Sequence, residues 1–176
     1  WMDRDLRSGR WEKQPGFALR EATLGVIGVG NVGRAVVRRA AAFGMNILGN
    51  DIAEIPYSFI AESGIEMTSK ADLLSRSAFV SLNCDLNSAS HHIVGEADLA
   101  LMKPTAVLIN TSRGAVIDEA ALIEALESGL IAGAGLDVFE KEPVQRDNPL
   151  LKMENVIVTP HSAGTTWNTW CRRGEF

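Results

Sequence analysis

The 176-residue chain contains one histidine placed for acid–base chemistry, with an arginine and a glutamate that could assist it. His161, Arg113 and Glu142 each follow a separate apolar run. Histidine can exchange a proton near neutral pH, a carboxylate favours the charged imidazole, and arginine binds carboxylates through paired hydrogen bonds. Together they suit the oxidation of a 2-hydroxy acid, in which carbon loses a hydride and oxygen loses a proton. Spacing alone leaves Glu140 open as the partner of His161, and it also leaves open a structural histidine and an Arg113–Glu142 surface ion pair.

The segment 28–33, Gly-Val-Gly-Asn-Val-Gly, matches the fingerprint of a dinucleotide-binding turn. It lies between an apolar run and a helical pattern, so that the helix N-terminus can bind phosphate. Asp51 closes the next apolar run, and its carboxylate can accept a hydrogen bond from a ribose hydroxyl. A 2′-phosphate about 4 Å away would be repelled by roughly 4 kcal/mol at an effective dielectric of 20, and the following Ile52 and Ala53 offer no cation. The pattern predicts NAD rather than NADP, unless Asp51 only caps the turn before Ile55.

Apolar runs alternate with helical patterns along the chain, which predicts an α/β fold with a doubly wound parallel sheet. The carboxyl ends of parallel strands meet at one edge of the sheet, where ligands bind. The predicted strands are residues 23–28, 45–49, 78–82, 106–109, 135–139 and 155–159. The predicted helices are 31–43, 70–76, 96–102 and 118–128, preceded by a charged surface helix that leads into a loop within 2–13.

The composition is that of a globular protein, with 46% hydrophobic and 22% charged residues. The net charge of −5 argues against a nucleic-acid partner. Cys84 and Cys171 are far apart and lack the spacing of metal ligands, so neither a disulfide framework nor a metal site is predicted. No apolar run is long enough to cross a bilayer and no secretion leader is present, which favours a cytoplasmic protein without a membrane partner. His91 and His92 lie in a polar segment that is interpreted as a solvated loop.

Four segments of the chain resemble the D-isomer-specific 2-hydroxyacid dehydrogenases. They are residues 28–33, 108–119, 135–143 and 155–161. Phosphoglycerate dehydrogenase and the hydroxypyruvate or glyoxylate reductases are the members that look most similar, and the resemblance covers about residues 2–167. It implies that Arg113 binds the substrate, a small 2-hydroxy or 2-oxo acid, and that His161 is the acid/base. It also implies that Glu142, rather than Glu140, is the histidine's partner; formate dehydrogenases of this family usually have glutamine there.

The same resemblance implies a larger set of contacts to NAD. Asn31 and Val32 would bind the pyrophosphate through their backbone, Cys84 would line the adenosine side, and Thr111 would lie along the nicotinamide ribose. Asp137 would bind the carboxamide, and residues 162–164 would complete the nicotinamide pocket. The chain departs from the family at Asp85, where proline is common, which affects the loop around Cys84. The complete predicted cofactor set is Gly28, Gly30, Asn31, Val32, Gly33, Asp51, Cys84, Thr111, Asp137, Ser162, Ala163 and Gly164.

The resemblance also bears on the organisation of the chain. Residues 1–22 are predicted to form a charged helix and lead-in loop, 23–164 a dinucleotide-binding domain, and 165–176 a truncated helix or tail. Family members carry a further, discontinuous substrate domain that is largely absent here, so we expect NAD(H) binding with weak or no turnover. The family usually dimerises through this domain, which predicts a homodimer to which Trp1 and Trp11 could contribute. Trp167 and Trp170 are predicted to share one face of the terminal helix.

Two other functions share part of this pattern. An NAD(H)-sensing module similar to the C-terminal-binding corepressors could retain Arg113, Glu142 and His161 without significant turnover. A methyltransferase would also have a glycine-rich loop followed by an acidic strand end, but it gives no reason for those three residues.

Overall fold

A seven-stranded sheet forms the centre of the chain in the computed structural model, which describes residues 2–13 and 15–173. In chain order its strands are β1 (Thr23–Ile27), β2 (Asn46–Asn50), β3 (Glu66–Met67), β4 (Phe79–Leu82), β5 (Val107–Asn110), β6 (Gly133–Leu136) and β7 (Val156–Val158). They lie in the spatial order β3-β2-β1-β4-β5-β6-β7, and every neighbouring pair is parallel. The predicted α/β class with a doubly wound parallel sheet is therefore confirmed.

Short helices connect these strands and have recognisable ends. In the described residues they are α1 (Met2–Arg7), α2 (Asn31–Ala42), α3 (Tyr57–Ser63), α4 (Lys70–Arg76), α5 (Glu96–Leu99), α6 (Glu119–Glu127) and α7 (Trp167–Arg173), with 3-10 turns at Leu19–Glu21, Gly114–Val116 and Pro149–Leu151. Ser69 caps α4 by accepting the Asp72 N–H, and Asp118 caps α6 by accepting the Ala121 N–H. Such N-caps stabilise a helix by about 1 kcal/mol each.

Two clusters of buried apolar side chains hold the layers together. The larger includes Leu82, Leu108 and Leu122, all at most 1% exposed, and the smaller includes Val26 and Val37, both fully buried. Complete burial of a leucine or valine stabilises the fold by about 1.5–3 kcal/mol relative to exposure. The strands are thus a firm base for the loops at their carboxyl ends.

The sheet order creates a crevice beside β1. This strand pairs with β2 on one side and with β4 on the other, so the direction of winding reverses there, and ligands bind at such switch points. The Gly28 N–H continues the ladder to the Asn50 carbonyl (2.9 Å), and the Asn83 N–H donates to the Ile27 carbonyl (2.8 Å). The glycine turn is therefore anchored from both sides.

The structure corrects several element boundaries. The strand predicted over 135–139 is present, but its bounds were wrong: β6 covers Gly133–Leu136. Its small residues gave no apolar signal at the start, and the strand ends before Asp137. Helix α3 and the short β3 were not predicted. The N-terminal helix ends at Arg7, and Gly9 adopts φ 84 in the turn that follows.

The chain ends are described in part. Helix α7 occupies most of the predicted tail 165–176. Trp1 and residues 174–176 lie outside the described residues, as does the Trp170 side chain that was predicted to share a face with Trp167. No helix in the described part of the chain combines the length and apolarity needed to cross a membrane.

Candidate active site

The turn after β1 is built by two glycines that no other residue could replace without movement. Gly28 has φ 88, and a Cβ there would lie 2.7 Å from the Asn83 carbonyl carbon and the Cys84 nitrogen. A Cβ on Gly33 would lie 2.0 Å from the Gly28 oxygen, which shows how closely α2 approaches the turn. Gly30, by contrast, has open space where its Cβ would be. The turn therefore presents bare backbone, with Asn31 and Val32 exposed in the first turn of α2.

Asp51, at the end of β2, is hydrogen-bonded to that turn. Its Oδ2 accepts the Val29 N–H (2.6 Å), and its Oδ1 accepts the Ala53 N–H (2.8 Å). The bond from the Ala53 N–H caps the turn that follows, as the alternative interpretation of the sequence proposed. The bond from the Val29 N–H fixes the carboxylate beside the glycine segment. Each oxygen of a carboxylate can accept a further hydrogen bond. The capping function and a ribose contact are thus compatible.

Gly28, Gly30, Asp51 and Cys84 line one cleft of about 210 Å³ at the switch point. Burial raises the pKa of the Cys84 thiol, which keeps it protonated and apolar in character. The other residues that line the cleft are Ile27, Asn50, Ile52, Asn83, Asp85, Asn87, Ala89, Ser90 and Ile93. The bare backbone of the glycine turn fits the pyrophosphate of a dinucleotide. The adjacent Asp51 carboxylate fits its ribose, and the cleft of mixed polar and apolar residues fits its base.

The loop after β5 carries Arg113 and is shaped by Asn110, which is 1% exposed. Asn110 Oδ1 accepts the Ser112 N–H (3.0 Å), and its Nδ2 donates to the Arg113 carbonyl (2.9 Å). The Arg113 side chain is exposed and donates to the Ser112 carbonyl (2.6 Å). In the described part of the chain it forms no ion pair with Glu142, so the surface pair considered from sequence is not formed.

Asp137, at the end of β6, organises the loop after β7. It is 3% exposed; Oδ1 accepts from the Thr159 hydroxyl and the Ser162 N–H (2.8 Å), and Oδ2 accepts the Ala163 N–H (2.7 Å). Burial by itself raises the pKa of Asp137, but these hydrogen bonds outweigh it and the pKa lies below its ordinary value. The side chain is thus a carboxylate whose oxygens hold the loop that carries His161.

His161 is paired with Glu142 at the end of this loop. Its Nδ1 lies 2.7 Å from Glu142 Oε2, while Glu142 Oε1 accepts the Phe139 N–H (3.0 Å). Burial raises the pKa of Glu142, but the hydrogen bonds from His161 and Phe139 outweigh that effect and lower it overall. Because a carboxylate can only accept, Nδ1 donates and Nε2 is left for other chemistry. The His161 side chain is 50% exposed, so that nitrogen is accessible to a reactant.

The backbone of His161 is also held in an unusual conformation. It has φ 52, and its N–H donates to the Asp137 carbonyl (2.8 Å). Non-glycine residues adopt such values where the surroundings enforce them, often at functional sites. The His161–Glu142 pair also lines a second pocket of about 410 Å³. The other lining residues are Phe139, Pro143, Val144 and Pro160.

The predicted residues thus form two groups. Gly28, Gly30, Asp51 and Cys84 share the cleft, and Asp137, Glu142, His161, Ser162 and Ala163 are joined by hydrogen bonds. Thr111, Arg113 and Gly164 are exposed on loops at the same sheet edge. The described residues contain no cluster of three or more side chains suited to a metal ion.

The chain matches a family model over residues 1–163, described as D-isomer specific 2-hydroxyacid dehydrogenase, NAD binding domain. The chain belongs to this family. The similarity extends to curated members of the D-2-hydroxyacid dehydrogenases. A glyoxylate reductase from Korarchaeum cryptofilum is 46% identical over 179 residues, covering 98% of this chain and 54% of the relative. A D-3-phosphoglycerate dehydrogenase from Methanocaldococcus jannaschii is 46% identical over 164 residues, covering 92% of this chain and 31% of the relative.

A solved structure of the family agrees with the fold. D-lactate dehydrogenase from Aquifex aeolicus, in complex with NAD and lactic acid, superposes with a TM-score of 0.90 at 33% identity, covering 99% of this chain and 57% of that one. The chain thus spans about half the length of this D-2-hydroxyacid dehydrogenase and of the glyoxylate reductase. What is shared is the NAD-binding domain of these enzymes.

Sequence reasoning missed several residues that shape the site. Asn110 is buried beneath the loop that it shapes, and the Thr159 hydroxyl donates to Asp137. Asn110 directly follows the predicted strand 106–109 and Thr159 ends the predicted strand 155–159, and this position is a signal that could have identified both. His92, interpreted as part of a solvated loop, forms a contact with Glu140 (2.5 Å). The two residues are 48 positions apart, so no local pattern could reveal that pair.

Proposed function

We propose that this NAD-binding domain serves hydride transfer between NAD and a D-2-hydroxy acid or 2-oxo acid. The observation that carries the proposal is the His161–Glu142 pair, with Nδ1 and Oε2 2.7 Å apart, at the same sheet edge as the glycine turn. A glycine turn and Asp51 alone would suit any dinucleotide-binding protein. A histidine held by a carboxylate adds the means to move a proton.

NAD, when bound, supplies the acceptor for the hydride of the hydroxyl-bearing carbon. His161 Nε2 takes the hydroxyl proton during oxidation and returns it during reduction. Glu142 holds the ring in the tautomer that leaves Nε2 available, and stabilises the charged imidazole once the proton has arrived. Arg113, freed from the Ser112 carbonyl, binds the substrate carboxylate through two charged hydrogen bonds.

The remaining predicted site residues are assigned to the cofactor. The glycine turn and the N–H groups of Asn31 and Val32 bind the pyrophosphate, supported by the start of the 12-residue α2. Asp51 binds the adenosine ribose, which selects NAD, and Cys84 lines the adenosine side. The nicotinamide end is assigned to Thr111, Asp137, Ser162, Ala163 and Gly164. Because both Asp137 oxygens already hold the 159–163 loop, any contact to a carboxamide uses their remaining lone pairs.

The corepressor-like alternative gains nothing from the relatives described above, which are reductases and dehydrogenases. The enzymatic proposal covers the whole protein, whereas this chain spans about half of comparable relatives. We therefore expect the 176-residue chain by itself to bind NAD(H) and to turn substrate over weakly or not at all.

Three further assignments belong to the proposal. Residues 23–164 form the dinucleotide-binding unit, with 1–22 as lead-in and 165–176 as tail. A homodimer is supported by large apolar side chains exposed in the lead-in, where Trp11 is 80% and Phe17 92% exposed. A cytoplasmic location is supported by two free cysteines, Cys84 and Cys171.

The test has two stages. Titration with NADH, followed by fluorescence, measures cofactor binding by the chain, and S-adenosylmethionine serves as the competing ligand class. A steady-state assay then uses glyoxylate, hydroxypyruvate and 3-phosphoglycerate. NADH binding with feeble turnover supports the proposal. Absence of NADH binding overturns it, and robust turnover would refute the expectation for this chain alone.

A further inference from the structure

His92 and Glu140 form a second histidine–carboxylate pair, separate from the proposed acid–base pair. His92 Nε2 is 2.5 Å from Glu140 Oε1, and its Nδ1 is 4.0 Å from Asp118 Oδ2. The backbone of His92 has φ 51, a conformation that a non-glycine residue keeps where its surroundings hold it. The proposed function assigns nothing to this pair.

The backbone of His92 is bound to the segment that carries Arg113. Its N–H donates to the Ala115 carbonyl (2.9 Å), and the Val94 N–H donates to the Val116 carbonyl (3.2 Å). Ala115 lies two residues after Arg113, in the 3-10 turn Gly114–Val116. Movement of His92 therefore moves the base of the arginine loop.

The ring of His92 is bound to the segment that carries Glu142. Glu140 is held at three points: its Oε1 contacts His92 Nε2 and accepts the Glu119 N–H (3.4 Å), and its own N–H donates to Glu119 Oε2 (2.9 Å). Phe139, on the other side of Glu140, donates its N–H to Glu142 Oε1 (3.0 Å). Fixing Glu140 therefore fixes the turn from which Glu142 reaches His161.

The two segments also touch directly. A Cβ on Gly114 would lie 1.9 Å from the carbonyl carbon and oxygen of Phe139 and 2.4 Å from the Glu140 nitrogen. At such close backbone approach a shift of one segment has to be followed by the other. His92 spans this contact, with its N–H on one segment and its ring on the other.

We infer that His92 is a positioning residue that couples the Arg113 segment to the Glu142–His161 pair through Glu140. The inference rests on the proposed function, because that proposal assigns the roles of Arg113, Glu142 and His161. His92 does not act on substrate. It holds Glu142 at the distance from which its carboxylate accepts the His161 Nδ1–H, and it holds the arginine loop in register with that pair.

The test is an NMR measurement on the 176-residue chain that requires neither turnover nor cofactor. The chain has three histidines, so the ring resonances can be separated and assigned by substitution. The observable is the exchange rate of the His161 Nδ1 proton with water. His92→Ala and Glu140→Ala should each raise that rate roughly tenfold, the effect of losing one hydrogen bond to a charged group.

Two controls separate positioning from general stability. His92→Gln retains an amide that can donate to Glu140, and should keep the exchange rate within about threefold of the parent, since one hydrogen bond remains. Glu127→Ala removes an exposed glutamate side chain at the end of α6 and should leave the rate unchanged. If His92 and Glu140 act through the same contact, the double variant His92→Ala/Glu140→Ala exchanges no faster than either single variant.

An unchanged rate in His92→Ala, an equal effect of Glu127→Ala, or additive effects in the double variant would overturn the inference. If His92→Ala does not fold, Glu140→Ala compared with Glu127→Ala decides the matter. NADH affinity is measured in parallel and should stay within about twofold, because no cofactor contact is altered. Absence of NADH binding in the parent chain would overturn the proposed function, while the exchange data would still decide whether His92 positions Glu142.

Discussion

Replacement of Asp137 by asparagine should destabilise the chain and loosen the loop that carries His161. The carboxylate accepts three strong hydrogen bonds, from the Thr159 hydroxyl, the Ser162 N–H and the Ala163 N–H. An asparagine has one oxygen and one NH₂ group. Whichever way the amide is oriented, its NH₂ therefore faces at least one backbone N–H that has lost its acceptor.

The size of the effect follows from this geometry. The least unfavourable orientation keeps the oxygen towards Thr159 and Ser162 and leaves only the Ala163 N–H without its acceptor. Loss of one bond to a charged group, with weakening of the other two, costs about 2–3 kcal/mol. For a chain of this size that corresponds to a fall in Tm of roughly 4–12 °C.

The pH dependence gives the prediction a second readout. Because the folded-state pKa of Asp137 is depressed below its ordinary value of 3.8, its stabilisation is fully present above that value. The stabilisation is lost as the pH falls through the folded-state pKa, where the carboxylate becomes protonated. The difference in unfolding free energy between parent and Asp137→Asn should therefore be constant near neutral pH and shrink in acid.

Urea unfolding of both proteins from pH 7 to pH 3 measures this difference, with Asp147→Asn as the matched control. Asp147 is an exposed aspartate in the following loop, so the same chemical change there should alter stability by less than about 0.5 kcal/mol. A cost below about 0.5 kcal/mol for Asp137→Asn, the size of an ordinary surface substitution, would refute the reasoning. So would a difference that persists unchanged into acid.

Four further predictions concern the glycine turn, the cofactor and the acid–base pair. Gly33→Ala should cost about 1–3 kcal/mol, because its Cβ would lie 2.0 Å from the Gly28 oxygen. Gly30→Ala should fold normally yet bind NADH roughly tenfold more weakly, because its methyl group occupies the face approached by pyrophosphate; equal NADH affinity for Gly30→Ala and the parent would count against this placement. Asp51→Asn should raise the ratio of NADPH to NADH affinity by roughly tenfold or more, since it removes a repulsion of roughly 4 kcal/mol. Paired fluorescence titrations with the two cofactors measure this ratio, and an unchanged ratio would contradict the prediction. Glu142→Gln should lower whatever turnover is measurable by roughly 10- to 100-fold through loss of one charged hydrogen bond, and full activity in a steady-state glyoxylate assay would contradict the assignment.

The sequence determines the sheet well, because strands buried on both faces leave continuous apolar runs. The run around Leu108 was placed correctly, and helix Lys70–Arg76 matches its prediction at both ends. The pattern was weak where the strand consists of small residues, as at Gly133–Leu136, whose pairing with β5 and β7 rather than its own hydrophobicity makes it a strand. The two-residue β3 is formed by pairing alone and leaves no periodicity to detect.

The candidate site also contains some features that the sequence predicts and others that it does not. The glycine turn and Asp51 could be predicted because backbone geometry demands particular residue types at particular places. The hydrogen bonds of Asp137 could not, because its partners are backbone N–H groups and a hydroxyl from a loop more than twenty positions away. A family resemblance suggests which residues are involved, but it does not say that this carboxylate is committed to a loop.

The choice between Glu140 and Glu142 shows what the tertiary structure adds to residue type. The two carboxylates are separated by one lysine, and either could reach a histidine on the evidence of spacing. In the fold the backbone decides: the Glu140 N–H is bound to Glu119 and its side chain to His92, whereas Glu142 accepts the Phe139 N–H and reaches His161. Each carboxylate is thus committed to its own histidine, so Glu140 cannot replace Glu142 without breaking the contacts that hold the turn.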